Sequence, residues 1–468
     1  MKYIRINNFS GGLADSDKIG VKGSFAEGVG LDIHSSPGLL KVNQALKKES
    51  GTTVTDLCKF AVPCSDGNSY WFGDSGKIYK RTSAGVWSLE HTNGNGANVG
   101  AIEFDDYIYY ASATALGRYG PLSGSPSWTD SWKTLDNATY HPMTVQGLYL
   151  LIGNGRKIAT VDDTGTFTSQ GTPDVALAEL PPNYEIRTLI NFGIDVLVGT
   201  TTSDKYTSAR IFRWDVASPA YISDDDIPER GLNAFIPVDN YVYAQAGQSG
   251  NIYQYTGQEL VLRKKIKGDY GQGTMEVLPQ SYTSFNGLPL FGVSNSSGNP
   301  LKQGIYSLGR HDSNYPLALN LEYVISTGNT SGITIGALLT IGTDLLVAWK
   351  DSGSYGVDVI DWTTKYSNAY YKTLILDGGA RHLIKYFKNF AFCYKTKPSN
   401  TDIKAEYFLN GGTKTSLTLE DDTTGYKKWT KKTLTGGYLQ LQVDFTTSGN
   451  NAPELEEIYC DLESKDIL

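Results

Sequence analysis

The chain has 468 residues, with 49 acidic against 41 basic side chains, a formal net charge of −8, 51 glycines and 31 tyrosines. This balance excludes a general nucleic-acid binder with a basic footprint, and no apolar run is long enough for a bilayer-spanning helix. Four cysteines, Cys58, Cys64, Cys393 and Cys460, are too few for a disulfide framework at this length and read as small buried hydrophobes.

Abundant Tyr, Gly, Thr and Ser, with no sustained helical periodicity, make the chain all-β. The opening "MKYIRINNFSGG" lacks the apolar core of a secretory signal, so synthesis in a cytoplasm is expected. Residues 1–50 are rich in Gly and Ser and lack the pattern that follows. They read as an extended arm, in which "KYIRI" offers one strand to a neighbouring sheet.

From about residue 51 to 369 a two-strand unit recurs. Its first strands are "YWFG", "DDYIYYA", "GLYLLIG", "DVLVG", "DNYVYAQ", "GLPLFGV" and "DLLVAW", centred on Trp71, Ile108, Tyr149, Val196, Val242, Leu290 and Leu346. The strands that follow are "GKIYKR", "LGRYG", "RKIATV", "ARIFRW", "GNIYQY", "QGIYSL" and "YGVDVI". Units of strand, turn and strand at this spacing are the signature of a β-propeller. A blade cannot bury both of its faces alone, so blade must stack on blade around a ring. Seven blades are expected, with six as the alternative because the third and seventh copies are degenerate. Tyr79, Phe212, Tyr253 and Tyr306 take matching positions as wedges between blades.

After Trp362 the period stops. In "YLQLQVDF", Leu439, Leu441, Val443 and Phe445 alternate with Gln440, Gln442 and Asp444, as in a half-buried antiparallel strand. A β-sandwich of jelly-roll type is expected over 370–468, with Cys393 and Cys460 as neighbours in one sheet.

Catalytic chemistry is sparse. His34, His91, His141, His311 and His382 show no paired spacing for zinc, and there is no nucleophile elbow, P-loop or dinucleotide fingerprint. One Asp-box-like turn, "DDTGTF" at 162–167, stands without a repeat. The acidic run "SDDDIPER" at 223–230 lacks calcium-loop spacing and reads as a solvated loop between blades. No enzyme activity, metal or cofactor is expected, although carboxylates from distant blades would suffice for a glycan hydrolase. The basic candidates are "LRKKIK" at 262–267 and "YKKWTKK" at 426–432. The second interleaves Tyr426 and Trp429 with Lys427, Lys428, Lys431 and Lys432, as single-strand binders do. It is a candidate for nucleic-acid or glycan contact. A charged outer strand with two aromatics on the sandwich is the alternative reading.

The stretch "NNFSGGLADSDKIGVKGSFAEGVGLDIHSSPGLLKV" at 7–42 resembles the opening of β-propeller virion proteins of tailed bacteriophages, among them tail nozzles and tail-tip or connector components. The resemblance rests on Phe9, Ser10, Gly11, Gly12 and Leu13, then Leu31, Asp32 and Ile33, then Pro37 and Gly38. Two positions depart from that pattern: Gly30 stands where Asn is common, and Ser36 where a basic residue is common. The close, "NNAPELEEIYCDLES", resembles the last strand of the sandwich that ends such proteins. The resemblance implies a structural subunit in the virion tail, made in the host cytoplasm. It also implies a homo-oligomeric ring, six-fold by analogy with nozzles, that meets other tail or connector proteins and lets exiting DNA pass non-specifically. Phe9, Gly11, Gly12, Leu13, Asp32, Pro37 and Gly38 are then the expected assembly residues. A glycan-binding module for host-surface attachment is the alternative.

Overall fold

The computed structural model describes residues 2–204, 207–267, 275–295, 303–328, 332–429 and 433–464, which form strands and turns with no helix among them. They divide into two compact units, Lys48–Gln303 with Thr327–Val359, and Met1–Lys47 with Gly304–Ser326 and Ile360–Leu468.

The first unit is a β-propeller. Five blades are complete four-stranded antiparallel sheets; the first comprises Cys58–Pro63, Ser69–Gly73, Lys77–Arg81 and Trp87–Thr92. The hairpin of Tyr282–Phe285 and Leu288–Asn295 serves as the sixth. The seventh is built on Ile333–Ile341, Asp344–Asp351 and the start of Ser354–Lys365. The first strand of each blade lies against the next blade, from Cys58–Pro63 round to Ile333–Ile341, which returns to Cys58–Pro63. The ring is closed, and the first strand of each repeat read from the sequence falls in its own blade.

Continuous apolar runs such as "GLYLLIG" suggest the innermost place in a blade, between two neighbours, but they are second strands, as in Tyr149–Asn154. They are buried on both faces, with Leu150, Leu151 and Ile152 at 0% exposure. The innermost strand precedes them and carries a weaker run, as in Cys58–Pro63, where buried and half-buried residues alternate. Tyr79, Phe212 and Tyr253 are buried at the third position of the third strand in their blades. In the second blade Gly117 takes that position, because a Cβ there would lie 2.5 Å from the ring of Tyr110. Tyr306 is likewise buried at the third position of its strand, Gly304–Gly309.

The ring is locked where its ends meet. Glu49 and Ser50 donate backbone N–H groups to Val357 O at 3.0 and 3.3 Å. Glu49 then receives the buried Arg81 guanidinium in a two-point contact of 2.6 and 2.8 Å and the indole N–H of Trp87 at 2.9 Å. Arg81 also donates to Asp344 of the seventh blade at 3.0 Å. Glu49, the first blade and the seventh blade thus share one charged clamp.

The second unit is a sandwich of two six-stranded sheets. One runs Lys2–Ile6, Glu454–Ser464, Lys385–Thr396, Tyr426–Trp429, Leu419–Thr423, with Leu434–Gly436 also on Lys385–Thr396. The other runs Gly12–Leu13, Ser24–Val29, Tyr370–Thr373, Leu439–Thr446, Asp402–Leu409, Thr415–Ser416. Phe387, Phe390 and Phe392 of the first sheet share a core with Phe25, Tyr371 and Leu441 of the second. Leu439, Leu441, Val443 and Phe445 all point into it, as their alternation requires. The four cysteines are free thiols, with Cys393 and Cys460 on neighbouring strands of one sheet.

The separate arm over 1–50 is therefore a correction. Lys2–Ile6 pairs antiparallel with the last strand, Lys2 opposite Leu462 and Ile6 opposite Ile458, and Ser24–Val29 pairs with Tyr370–Thr373. Phe9, Phe25, Leu31 and Ile33 are each at 0% exposure. They sit on short segments between turns, so their burial leaves no period in the sequence. The boundaries move for the same reason: Gly304–Ser326 and the chain from Ile360 belong to the sandwich unit.

Candidate functional site

The motif residues of the N-terminal stretch converge in the sandwich unit. Phe9 donates its N–H to Pro37 O at 3.1 Å, and its ring meets Tyr371 edge-on at 5.4 Å. Gly11 and Gly12 permit close backbone approach. A Cβ on Gly11 would collide with Ser24 N, and one on Gly12, at φ +70°, would lie 2.6 Å from Leu319 O. Leu13 pairs in parallel with Phe25. Leu31 and Ile33 are buried while Asp32 between them is half-buried, the period of a short strand. Asp32 Oδ1 accepts from His34 N at 3.0 Å and Ser35 N at 2.9 Å, which turns the chain. Pro37 and Gly38 fill the tight turn closed by Leu39 N to Ser36 O at 2.9 Å.

Beyond Asp32 lies a buried polar network that the sequence did not reveal. His34 Nε2 is 3.0 Å from Ser307 Oγ and 3.5 Å from Glu322 Oε1. Ser307 donates to Glu322 Oε1 at 2.7 Å, Asn320 donates to the same oxygen at 3.0 Å, and Asn43 donates to Oε2. His311 Nδ1 lies 2.7 Å from His34 O. His34, Ser307, Asn320 and Glu322 are all buried. Burial pulls the His34 imidazole down to about 4; burial, with Asp32 adding to it, pushes the Glu322 carboxyl up to about 7. Ser307 and Glu322 meet the same ring nitrogen, so they are not the two ends of a relay through the imidazole. The network ties the motif to the hairpin Gly304–Gly309 and Ala318–Tyr323. Glu322, a carboxylate inside the apolar run "ALNLEYVI", was the signal available in the sequence.

In the propeller unit the axis is occupied. Glu276 pairs with Arg187 of the fourth blade, and Val277 N donates to Gln245 Oε1 of the fifth at 3.2 Å. Gln280 Oε1 accepts from Ala61 N of the first blade at 3.2 Å, while its Nε2 donates to Ala101 O of the second at 3.1 Å. Gln280 O accepts from Leu338 N of the seventh at 3.3 Å. A segment of the sixth blade that reaches five others can lie only across the centre of the ring.

The described part of the basic stretch, Tyr426–Trp429, is a strand of the sandwich unit. Lys427 is buried and paired with Asp402 and Asp422. Trp429 is buried edge-on against Phe392 at 4.7 Å. Tyr426 and Lys428 take the outer face, and Lys431 and Lys432 lie outside the described residues. Strand alternation thus splits the aromatic-basic pattern between two faces, on a strand that lies between Lys385–Thr396 and Leu419–Thr423 and packs only one of its two aromatics inward. The acidic run is likewise not a loop. Ser223–Asp226 is the outer strand of the fourth blade, with Arg210 paired to Asp224 and Asp226. Leu260–Lys265, from the other basic run, is the outer strand of the fifth. Among the described residues no group of three His, Cys, Asp or Glu is placed to hold a metal, and no helix is long and apolar enough to cross a membrane.

No family model and no curated protein matches the chain. Solved structures do. The extracellular domain of a Bacteroides thetaiotaomicron protein described as a hybrid two component system aligns at 15% identity and a TM-score of 0.50, over 82% of this chain and 44% of that one. The chain thus spans less than half the length of that domain. The WD40 β-propeller domain of Doa1 aligns at 12% identity and a TM-score of 0.45, over 68% and 97%. The computationally designed protein Ika8 aligns at 16% and 0.42, over 65% and 83%. At such identities the likeness concerns fold alone, and the fold is an all-β propeller.

Proposed function

We propose that the chain is a structural, non-catalytic subunit of a tailed-phage virion, part of a nozzle, connector or tail-tip ring around the path of exiting DNA. The observation that carries this reading is the N-terminal motif, Phe9 to Leu13, Leu31 to Ile33 and Pro37–Gly38, whose residues are built into one join of the sandwich unit. The filled propeller axis bears on how such a subunit would work. DNA has no route through one ring of blades lined by Gln280 and Glu276, so the conduit belongs to a cyclic assembly of several copies, six by analogy with nozzles. A net charge of −8 keeps such walls from holding the DNA phosphates. The test is mass spectrometry and immunogold labelling of particles purified from a culture expressing the chain. Label at the tail, with about six copies per particle, supports the reading, and particles that lack the chain overturn it. A second reading, attachment to surface glycan, is favoured by one cationic pocket.

A further inference from the structure

The sandwich unit contains a pocket of about 280 Å³ between the strand Lys2–Ile6, the loop up to Ser24, and Leu374–Leu376. Its lining includes three cations, Arg5, Lys18 and Lys22, and no carboxylate, in a chain where acids outnumber bases. Arg5 is engaged by Glu457 at 2.6 Å, whereas Lys18 and Lys22 have no ion-pair partner among the described residues. Asp15 and Asp17 lie on the same loop but are not in the lining. The loop is pinned at three points: Ile375 N donates to Asp17 O at 2.7 Å, Ser24 N to Val21 O at 3.0 Å and Gly11 N to Gly23 O at 3.1 Å. Two exposed lysines on a loop pinned by its backbone thus stand beside one cavity whose lining carries no carboxylate.

We infer that this pocket binds a sugar unit carrying a phosphate or carboxylate group. The anion is the group that Lys18 and Lys22 lack. Ile6, Val21 and Leu374–Leu376 form an apolar wall suited to the C–H face of a ring, and Asn7 and Asn8 add amides. The volume lies just below the range typical of drug-sized ligands, about 300–1,000 Å³, which limits the occupant to about one ring. The lining contains no aromatic side chain, so a neutral sugar has no stacking platform and the charge must discriminate. This site deepens the glycan-attachment reading but does not depend on the chain being a virion part.

The experiment is isothermal titration calorimetry on the full chain with glucose 6-phosphate, glucuronate, glucose and inorganic phosphate, followed by an anionic polysaccharide. One site for an acidic sugar, with no binding of glucose, is expected. Lys18→Glu with Lys22→Glu should weaken binding at least tenfold. Lys395→Glu with Lys404→Glu, an equal charge change on exposed residues of the same unit, should leave it intact. Polysaccharide binding lost in the same variant identifies the sugar unit as part of a polymer. Polysaccharide silence beside sugar-phosphate binding identifies a free metabolite. Inorganic phosphate binding as tightly as the acidic sugars, equal loss in both double variants, or no heat at millimolar ligand overturns the inference. If particles lack the chain while the acidic sugar still binds, the virion reading fails and this one stands.

Discussion

Glu322 and His34 exchange the protonation states they would have in water. In the unfolded chain a glutamate titrates near 4.3 and a histidine near 6.5; folded, Glu322 sits at about 7 and His34 at about 4. Between pH 4.5 and 6.5 each state therefore holds about one proton on the pair, and this pair adds little slope to stability. Glu322→Gln removes the compensating site. The unfolded chain then takes a proton at His34 below pH 6.5 that the folded one refuses until about 4, so stability falls as the pH drops through that window, by up to about 3 kcal/mol. Urea midpoints against pH read this directly, and a profile identical to wild type contradicts the assignment. The motif glycines separate in the same way. Gly12→Ala should cost about 2 kcal/mol or more, since its φ is +70° and its Cβ would press on Leu319 O. Gly38→Ala, with only Asn7 O at 3.8 Å, should stay within about 0.5 kcal/mol. Thermal melts of the two variants test whether the motif works through shape or merely marks ancestry.

At the scale of the strand, the propeller was legible because its signals are local. A second strand buried on both faces must be apolar throughout, and in three blades the third strand puts an aromatic at the wedge. Tyr253 is such a wedge, buried among Ile190, Leu197 and Phe235. Tyr253→Ala should cost about 3–5 kcal/mol. Tyr253→Phe should cost less than about 1.5 kcal/mol, because the hydroxyl makes only two long contacts, donating to Glu229 at 3.4 Å and accepting from Asn251 at 3.5 Å. Equal losses in urea titrations would make the hydroxyl, not the ring, the important part. The innermost strands were not legible as a set, since Cys58–Pro63 alternates like any half-buried strand. The lysine-aromatic stretch at 426–432 misled for the opposite reason. Its residue types suggest a binding surface, but a period of two sends Lys427 and Trp429 inward.

At the scale of the molecule, the propeller depends on one closure. Arg81 is buried, and its guanidinium is satisfied by Glu49 and Asp344. Glu49→Ala strips the two-point partner and leaves a buried charge half-paired, a loss of about 3–5 kcal/mol. Asp344→Ala removes only a half-exposed partner and should cost about 1 kcal/mol. If the two variants unfold at the same urea concentration, Glu49 is not the clamp.

The sequence by itself determined that the chain is all-β, that repeated units, six or seven of them, build a propeller, and that an alternating sandwich follows. Each of these depends on neighbours within a few tens of residues, so composition and spacing record them. Only the tertiary structure decided that Lys2–Ile6 is the partner of Glu454–Ser464, that Gly304–Ser326 joins the sandwich unit, that Gln280 fills the axis, and that Lys18 and Lys22 share a pocket with Leu374–Leu376. Such pairings close loops of hundreds of residues. The entropy of closure grows only slowly with length, so distant partners can meet at little more cost than near ones, and no local pattern is needed to announce them.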